Sequence, residues 1–155
     1  MINHPLMENN ITKSDTNALI NFLKKRKKLT QSENVLKFEK EWSKWLGVKY
    51  SVFVNSGSSA NLLTVSALKF IKTKGNEIIL PALTWSSDIN SVIHNGFKPV
   101  FVDINPKTLS MNTEQIIKKI SKKTAAIFIT HAQGFNGLSK KLLELVKKNK
   151  IILLE

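Results

Sequence analysis

The sequence has no cysteine and no long apolar run in its 155 residues. Without thiols, a disulfide framework, a thiolate metal site and a cysteine nucleophile are excluded, and the composition suits a reducing compartment. The longest apolar runs, such as residues 78–80 and 151–154, are far too short to cross a bilayer. Residues 1–10 are polar and lack the pattern of a secretory signal. We therefore expect a cytoplasmic protein with no membrane partner.

Acidic residues are scarce: 11 Asp and Glu stand against 24 Lys and Arg, for a net charge of +13. The basic run at 24–28 is of the kind that attracts a nucleic-acid backbone. The other lysines, however, fall in pairs at the ends or outer faces of predicted helices, where solvation and the helix dipole explain them. We therefore expect no nucleic-acid partner. Binding through residues 24–28 would depend steeply on salt, and a flat salt response would exclude it.

Apolar spacing predicts helices that alternate with strands. The predicted helices lie within 11–29 and at about 33–46, 58–72, 86–94, 112–120 and 139–148. The predicted strands lie at 50–54, 77–80, 100–103, 125–130 and 151–154. Because these strands are continuous apolar runs, they indicate a mainly parallel sheet flanked by helices. We predict an α/β fold whose ligand site lies in the loops at the carboxyl ends of the strands.

The turn at 54–61, between a predicted strand and a predicted helix, consists mostly of small residues. Gly57 allows close approach to the backbone, and the unpaired amides of a helix start point toward one spot. The helix dipole and the hydroxyls of Ser58 and Ser59 would add to the binding of a phosphate monoester. Plain helix capping explains the serines equally well. The turn is not a P-loop, because the Gly-Lys-Ser/Thr ending is missing.

A tryptophan, Trp85, follows the next predicted strand, where the chain turns into a helix. Its indole is placed to lie against a flat ligand held by the neighbouring loop. For an isolated Trp, packing against the core is the more ordinary interpretation. Next to a phosphate-binding turn, Trp85 instead favours a site for a phosphorylated aromatic cofactor. No two histidines or carboxylates have metal-ligand spacing on one element, so we expect no metal site.

A series of segments resembles the DegT/DnrJ/StrS family of pyridoxal-phosphate (PLP) dependent nucleotide-sugar aminotransferases and 3-dehydratases. In the order and spacing of that family, the segments are 38–42, 45–50, 54–63, 80–85, 98–104 and 111–112, within a match over 29–155. The resemblance implies the aspartate-aminotransferase-like fold (fold type I), with PLP or pyridoxamine phosphate (PMP) as cofactor. It also implies a homodimer, a nucleotide-sugar substrate, an amino donor such as glutamate, and a role in surface polysaccharide biosynthesis.

The resemblance also assigns roles to individual positions. Gly57, Ser58 and Ser59 match the phosphate-binding turn, and Trp85 matches the aromatic residue that stacks on the pyridine ring. The acidic partner of the pyridine nitrogen is expected just past Glu155. The position of the cofactor-binding lysine of aminotransferases, a histidine in 3-dehydratases, lies further on. We therefore assign no catalytic residue in this chain and expect it to be inactive alone.

The resemblance further suggests a division into an N-terminal arm and helix, residues 1–32, and a PLP-binding large domain, residues 33–155, that is incomplete at its C-terminal end. The turn at 55–63 and Trp85 favour the 3-dehydratase branch, which acts on nucleotide-linked 4-keto-6-deoxy sugars. His131 follows the fourth predicted strand, and a hydrogen-bonded structural role is favoured over a role in the site. The alternative is a non-catalytic remnant that binds a cofactor or a partner, which a stop codon after Glu155 would favour.

Overall fold

The computed structural model describes residues 7–71 and 73–155, so the predicted helix end at 72 and the polar residues 1–6 lie outside the described part. The described helices are α1 (Lys13–Lys24), α2 (Glu33–Leu46), α3 (Gly57–Ala67), α4 (Ser86–His94), α5 (Thr113–Lys119) and α6 (Lys140–Asn149). The described strands are β1 (Glu77–Pro81), β2 (Lys98–Val102), β3 (Thr124–Phe128) and β4 (Ile152–Leu154). Short 3₁₀ turns lie at Leu68–Phe70 and Ala132–Gly134. The chain forms two compact units, which meet in the sequence between Phe53 and Val54.

The first unit contains two amphipathic helices with well-defined ends. At the start of α1, the Thr12 hydroxyl accepts a hydrogen bond from the Asp15 amide, and the Asp15 carboxylate accepts one from the Thr12 amide at 2.8 Å. The hydrogen bonds that the Thr12 amide and hydroxyl donate to this carboxylate lower the pKa of Asp15. Helix α2 ends at Gly47, whose φ of 76° is favoured by glycine. Local capping therefore determines both of these helix ends.

The predicted strand at 50–54 is wrong, because no strand ladder forms there in the described part of the chain. The segment follows α2 and bonds back to it through side chains. The Phe53 amide donates to Glu39 at 2.8 Å, and Ser43 donates to Ser51 at 2.8 Å. A parallel strand exists only where a neighbouring strand accepts and donates its backbone hydrogen bonds. Apolar composition predicted the strand, but composition carries no information about a partner.

The second unit contains a parallel four-stranded sheet in the order β2-β1-β3-β4. Its register pairs Ile79 with Val100 on one side and with Ile127 on the other. Every residue of β3 is buried, as are four of the five residues of β1. The predicted parallel α/β sheet is confirmed, and the continuous apolar runs are explained because both faces of the central strands are covered.

Helices cover the sheet on opposite faces, as the alternation of side chains along β1 shows. Ile78 and Leu80 belong to a core cluster that includes Val65 of α3 and Val92 of α4. Ile79 belongs to a second cluster. That second cluster also includes Ile116 of α5 and Leu142 of α6. Successive residues of a strand point to opposite faces, so α3 and α4 cover one face and α5 and α6 the other. Helices α3 and α4 both start at the edge where the strands end.

Helix starts in the second unit follow the sequence prediction. The side chain of Asn112 accepts hydrogen bonds from the amides of Glu114 and Gln115 at the start of α5. Ser139 accepts one from the amide of Leu142 at the start of α6. No helix among residues 7–71 and 73–155 is long and apolar enough to cross a membrane.

Gly75 precedes β1 at a point where two backbone segments touch. A Cβ added to Gly75 would lie 2.1 Å from the carbonyl oxygen of Lys123, which also accepts the hydrogen bond from the Glu77 amide. We expect Gly75→Ala to lower the free energy of unfolding by about 1–3 kcal/mol, as other overpacking substitutions do. Gly57→Ala is the matched control, because a Cβ there meets nothing within 4 Å. Denaturant titration measures both, and equal stability of the two variants would contradict the prediction.

Candidate functional site

Among the residues that the structure describes, the start of α3 has two backbone amides without a hydrogen-bond acceptor. Ser56 is the N-cap residue, and its hydroxyl accepts a hydrogen bond from the amide of Ser59 at 3.2 Å. The first helical hydrogen bond runs from the Ala60 amide to the Ser56 carbonyl at 3.0 Å. The amides of Gly57 and Ser58 precede both bonds, and both residues are exposed. The predicted phosphate turn therefore offers two amides and two hydroxyls, while the third predicted amide, that of Ser59, is bound by Ser56.

Trp85 lies in the loop between β1 and α4, immediately before Ser86. Its side chain is 77% exposed, so it is not part of the core of the described chain. The alternative in which Trp85 packs against a core wall therefore does not describe this structure. Because α3 and α4 both begin at the carboxyl edge of the sheet, the indole and the turn at Gly57 belong to the same edge.

Asp88 forms the centre of a polar network at this edge that the sequence did not reveal. The residue is only 6% exposed. Its Oδ1 accepts a hydrogen bond from the side-chain amide of Asn61 at 2.6 Å. Its Oδ2 accepts hydrogen bonds from the hydroxyls of Thr84 and, at 3.1 Å, Thr130. The two threonine hydroxyls lie 2.6 Å apart. The network thus joins α3, the loop after β1, α4 and the end of β3.

One signal in the sequence could have pointed to this network. Thr84 and Thr130 are polar residues that follow the apolar runs of two predicted strands. Those strands, β1 and β3, are neighbours in the sheet, and neighbouring parallel strands bring their ends to the same edge. The network residues on α3 and α4 gave no such signal. An Asp in the first turn of a helix is ordinary, and Asn61 lies in the second turn of α3, where a polar side chain is usual on an exposed face.

His131 is also at the carboxyl edge, next to Thr130, and its ring is hydrogen-bonded. Nδ1 accepts a hydrogen bond from the Gly137 amide at 2.9 Å. The proton of the neutral ring is therefore on Nε2, which lies 3.1 Å from a carboxylate oxygen of Glu155. The predicted hydrogen bonding of His131 is therefore present, and its structural role stays a prediction. The pair connects the loop after β3 with the residue that follows β4.

A groove of about 320 Å³ lies between α3 and α4 and shares two residues with the phosphate turn. Its lining is mostly hydroxyl-bearing: Ser58, Ser59, Leu62, Ser86, Ser87, Asn90, Ser91 and His94. Trp85 does not line it. Within the residues that the structure describes, no group of three or more His, Asp or Glu side chains is arranged to hold a metal ion. The groups exposed at this edge, helix-start amides, hydroxyls and an indole, are of the kinds that bind anions and stack on flat rings.

The sequence matches the model of the DegT/DnrJ/EryC1/StrS aminotransferase family over residues 9–155. The chain belongs to this family. A GDP-4-keto-6-deoxy-D-mannose 3-dehydratase of Yersinia pseudotuberculosis is 35% identical, over 90% of this chain and 37% of that protein. A GDP-perosamine synthase of Vibrio cholerae is 33% identical, over 77% of this chain and 32% of that protein. The predicted family resemblance is confirmed.

A solved structure of a GDP-4-keto-6-deoxymannose-3-dehydratase has the same fold, with a TM-score of 0.90 and 33% identity. The match covers 99% of this chain and 40% of that one. That protein was crystallised with a trapped PLP-glutamate geminal diamine. The predicted aspartate-aminotransferase-like fold is confirmed. This chain spans about two fifths of the length of the curated relatives that it matches over most of its own length.

Proposed function

We propose that this chain is the N-terminal, cofactor-holding part of a PLP- or PMP-dependent enzyme that acts on a nucleotide-linked 4-keto-6-deoxy sugar. The observation that carries the proposal is the meeting of two uncommitted helix-start amides and an exposed indole at one edge of the sheet. Membership of the family supports the choice of cofactor. We further propose that the large domain begins near residue 33 and continues beyond Glu155, and that the whole protein is a homodimer.

The residues at this edge fit a phosphorylated pyridine. A phosphate monoester needs several hydrogen-bond donors and gains from the positive end of a helix dipole. The amides of Gly57 and Ser58 and the hydroxyls of Ser58 and Ser59 supply the donors. Gly57 has no atom within 4 Å of the place where a Cβ would stand, so a bulky anion can approach its backbone. Trp85 supplies a flat apolar face for a ring.

Each of these residues has a distinct part in the proposed function. When bound, the cofactor supplies an electron sink for bonds of the substrate. The turn at Gly57 binds the phosphate, and the Trp85 indole orients the ring and excludes water from one of its faces. The Nε2–H of His131 faces the Glu155 carboxylate and holds the ends of β3 and β4 in register. None of the described lysines is assigned a role in the reaction.

The proposed reaction is 3-dehydration, supported by Trp85, the turn at 55–63 and the 35% identity to two 3-dehydratases. Amino transfer is the second candidate, because three GDP-perosamine synthases are 30–33% identical. In either case we propose glutamate as amino donor.

The product of the full-length protein that contains this chain should separate the two reactions. We expect GDP-4-keto-6-deoxymannose, supplied with PLP and glutamate, to lose its C3 hydroxyl oxygen, as mass spectrometry of the sugar would show. A product that gains nitrogen at C4 would favour amino transfer instead. Cofactor binding with an unchanged sugar would favour a non-catalytic remnant.

A carboxylate at Ser58 should disrupt phosphate binding in the full-length protein. Ser58→Asp places like charge against the phosphate, and we expect the dissociation constant for PLP to rise by about tenfold or more, equivalent to roughly 1.4 kcal/mol. Ser14→Asp is the matched control, because Ser14 occupies the same position in the first turn of α1. Near a helix start the new charge is favourable in both variants, so their stabilities should remain similar. Absorbance titration with PLP tests the difference, and equal affinities would contradict the assignment of the phosphate turn.

Removal of the Trp85 indole should weaken cofactor binding without unfolding the protein. Stacking contributes on the order of 1 kcal/mol, so we expect Trp85→Ala to raise the PLP dissociation constant about fivefold. Because the side chain is 77% exposed, the free energy of unfolding without cofactor should change by about 0.5 kcal/mol or less. Ile79→Ala, at a fully buried position, should cost about 2–5 kcal/mol. A comparable stability loss in Trp85→Ala, with unchanged affinity per folded molecule, would contradict the stacking role.

A further inference from the structure

We propose that Asp88 is a positioning residue for the cofactor: its carboxyl group holds the start of α3 and the Trp85 loop in the relative placement that the phosphate and the ring require. The inference rests on the proposed function. Asp88 does not line the groove between α3 and α4, and none of the ion pairs among the described residues includes it. Its described partners are neutral hydroxyl and amide groups.

The carboxyl group fixes the distances between three segments of the chain. Asn61 belongs to α3, Thr84 to the loop after β1, and Thr130 to the loop after β3. Each donates to Asp88, which is almost fully buried. Buried polar groups keep their hydrogen bonds because an unpaired group is costly. The three segments therefore lie within hydrogen-bond distance of one carboxyl group, and a displacement of any of them would leave a buried group without its partner.

Two of the three segments that Asp88 holds, α3 and the loop after β1, also carry residues of the proposed site. Asn61 follows Ser58 by one helical turn on the same side of α3. Thr84 is the residue immediately before Trp85 in the chain. A shift of the network would therefore move the phosphate turn relative to the ring platform. The Asp88 carboxyl group therefore links the phosphate turn to the Trp85 loop, because it accepts hydrogen bonds from both segments.

A second polar contact between α3 and α4 provides a matched comparison. Ser66 donates to the side-chain oxygen of Asn95 at 2.8 Å, and the Asn95 amide donates to the Ser91 carbonyl at 2.9 Å. This contact joins the same two helices but lies toward their C-terminal ends, away from the phosphate turn and Trp85. Its loss loosens the helix pair without touching the loops of the site.

Two substitutions at Asp88 separate the hydrogen-bonding role of its side chain from its negative charge. Asp88→Ala leaves the Asn61 amide and both threonine hydroxyls without their acceptor, so we expect the loops to move toward water. Asp88→Asn keeps an oxygen for Asn61 and directs an amide toward the threonine hydroxyls, which can accept. The conservative variant should therefore rescue the placement of the loops.

The experiment is a PLP titration of the full-length protein, with absorbance for affinity and visible circular dichroism for the orientation of the bound ring. We expect Asp88→Ala to raise the dissociation constant for PLP about tenfold or more. We also expect it to reduce the visible circular dichroism per bound cofactor. A general loss of stability would leave that dichroism per bound cofactor unchanged. Asp88→Asn should stay within about threefold of the wild type, and Ser66→Ala within about twofold, both with unchanged dichroism. Melting temperatures of all the variants are measured alongside.

Two results would overturn the inference while leaving the proposed function intact. In the first, Asp88→Ala binds PLP with wild-type affinity and dichroism. In the second, Ser66→Ala is weakened as much as Asp88→Ala. If Asp88→Ala does not fold, Thr84→Val, which removes one hydroxyl at nearly constant volume, is judged by the same criteria. If the wild-type protein itself does not bind PLP, the proposed function fails, and the inference fails with it.

Discussion

Parallel pairing of β1 with β3 determines where every other part of the second unit lies. Two parallel strands cannot be joined by a tight turn, so the chain between them has to cross a face of the sheet. In this unit the crossings are helices, and they cover both faces, which is why β3 has no exposed residue and β1 has nearly none. The same pairing places all the strand ends at one edge. The loops there are the part of the unit that is free to carry polar residues.

The candidate site follows from that edge and from helix polarity. A helix that returns across the sheet starts at the edge where the strands end, so α3 and α4 direct their positive ends toward the same region. The chain places a glycine and serines at the start of one helix and an exposed indole before the other. Between them lies the buried carboxyl group of Asp88. It accepts hydrogen bonds from α3, from the loop before α4 and from the loop after β3. The start of α3 and the loop that carries Trp85 are thus joined by polar contacts as well as by apolar packing.

The sequence predicted the parts of this arrangement that depend on local chemistry. Apolar runs predicted the four strands that form, and Asn112 and Ser139 predicted helix starts, because a cap is bound within a few residues. The strand at 50–54 was wrong because strand formation requires a partner that periodicity does not record. The Asp88 network was missed for a related reason. Its contacts join residues 27 and 46 positions apart, such as Asn61 with Asp88 and Thr84 with Thr130. The packing of α3 against α4 and the neighbouring positions of β1 and β3 bring these residues together.

The chain is about equally similar to proteins that are named for two different reactions. A 3-dehydratase and a perosamine synthase are 35% and 33% identical to the chain, although their names describe different reactions. A segment about equally similar to both does not by itself distinguish the two reactions. At the carboxyl edge of its sheet this chain carries two helix-start amides, an exposed indole and the polar network between them. Substitutions at Gly57, Ser58, Trp85 or Asp88 are therefore expected to change how tightly and in what orientation a cofactor is held. The choice between losing a hydroxyl and gaining an amino group depends on the groups that move protons, and none of those is assigned to this chain.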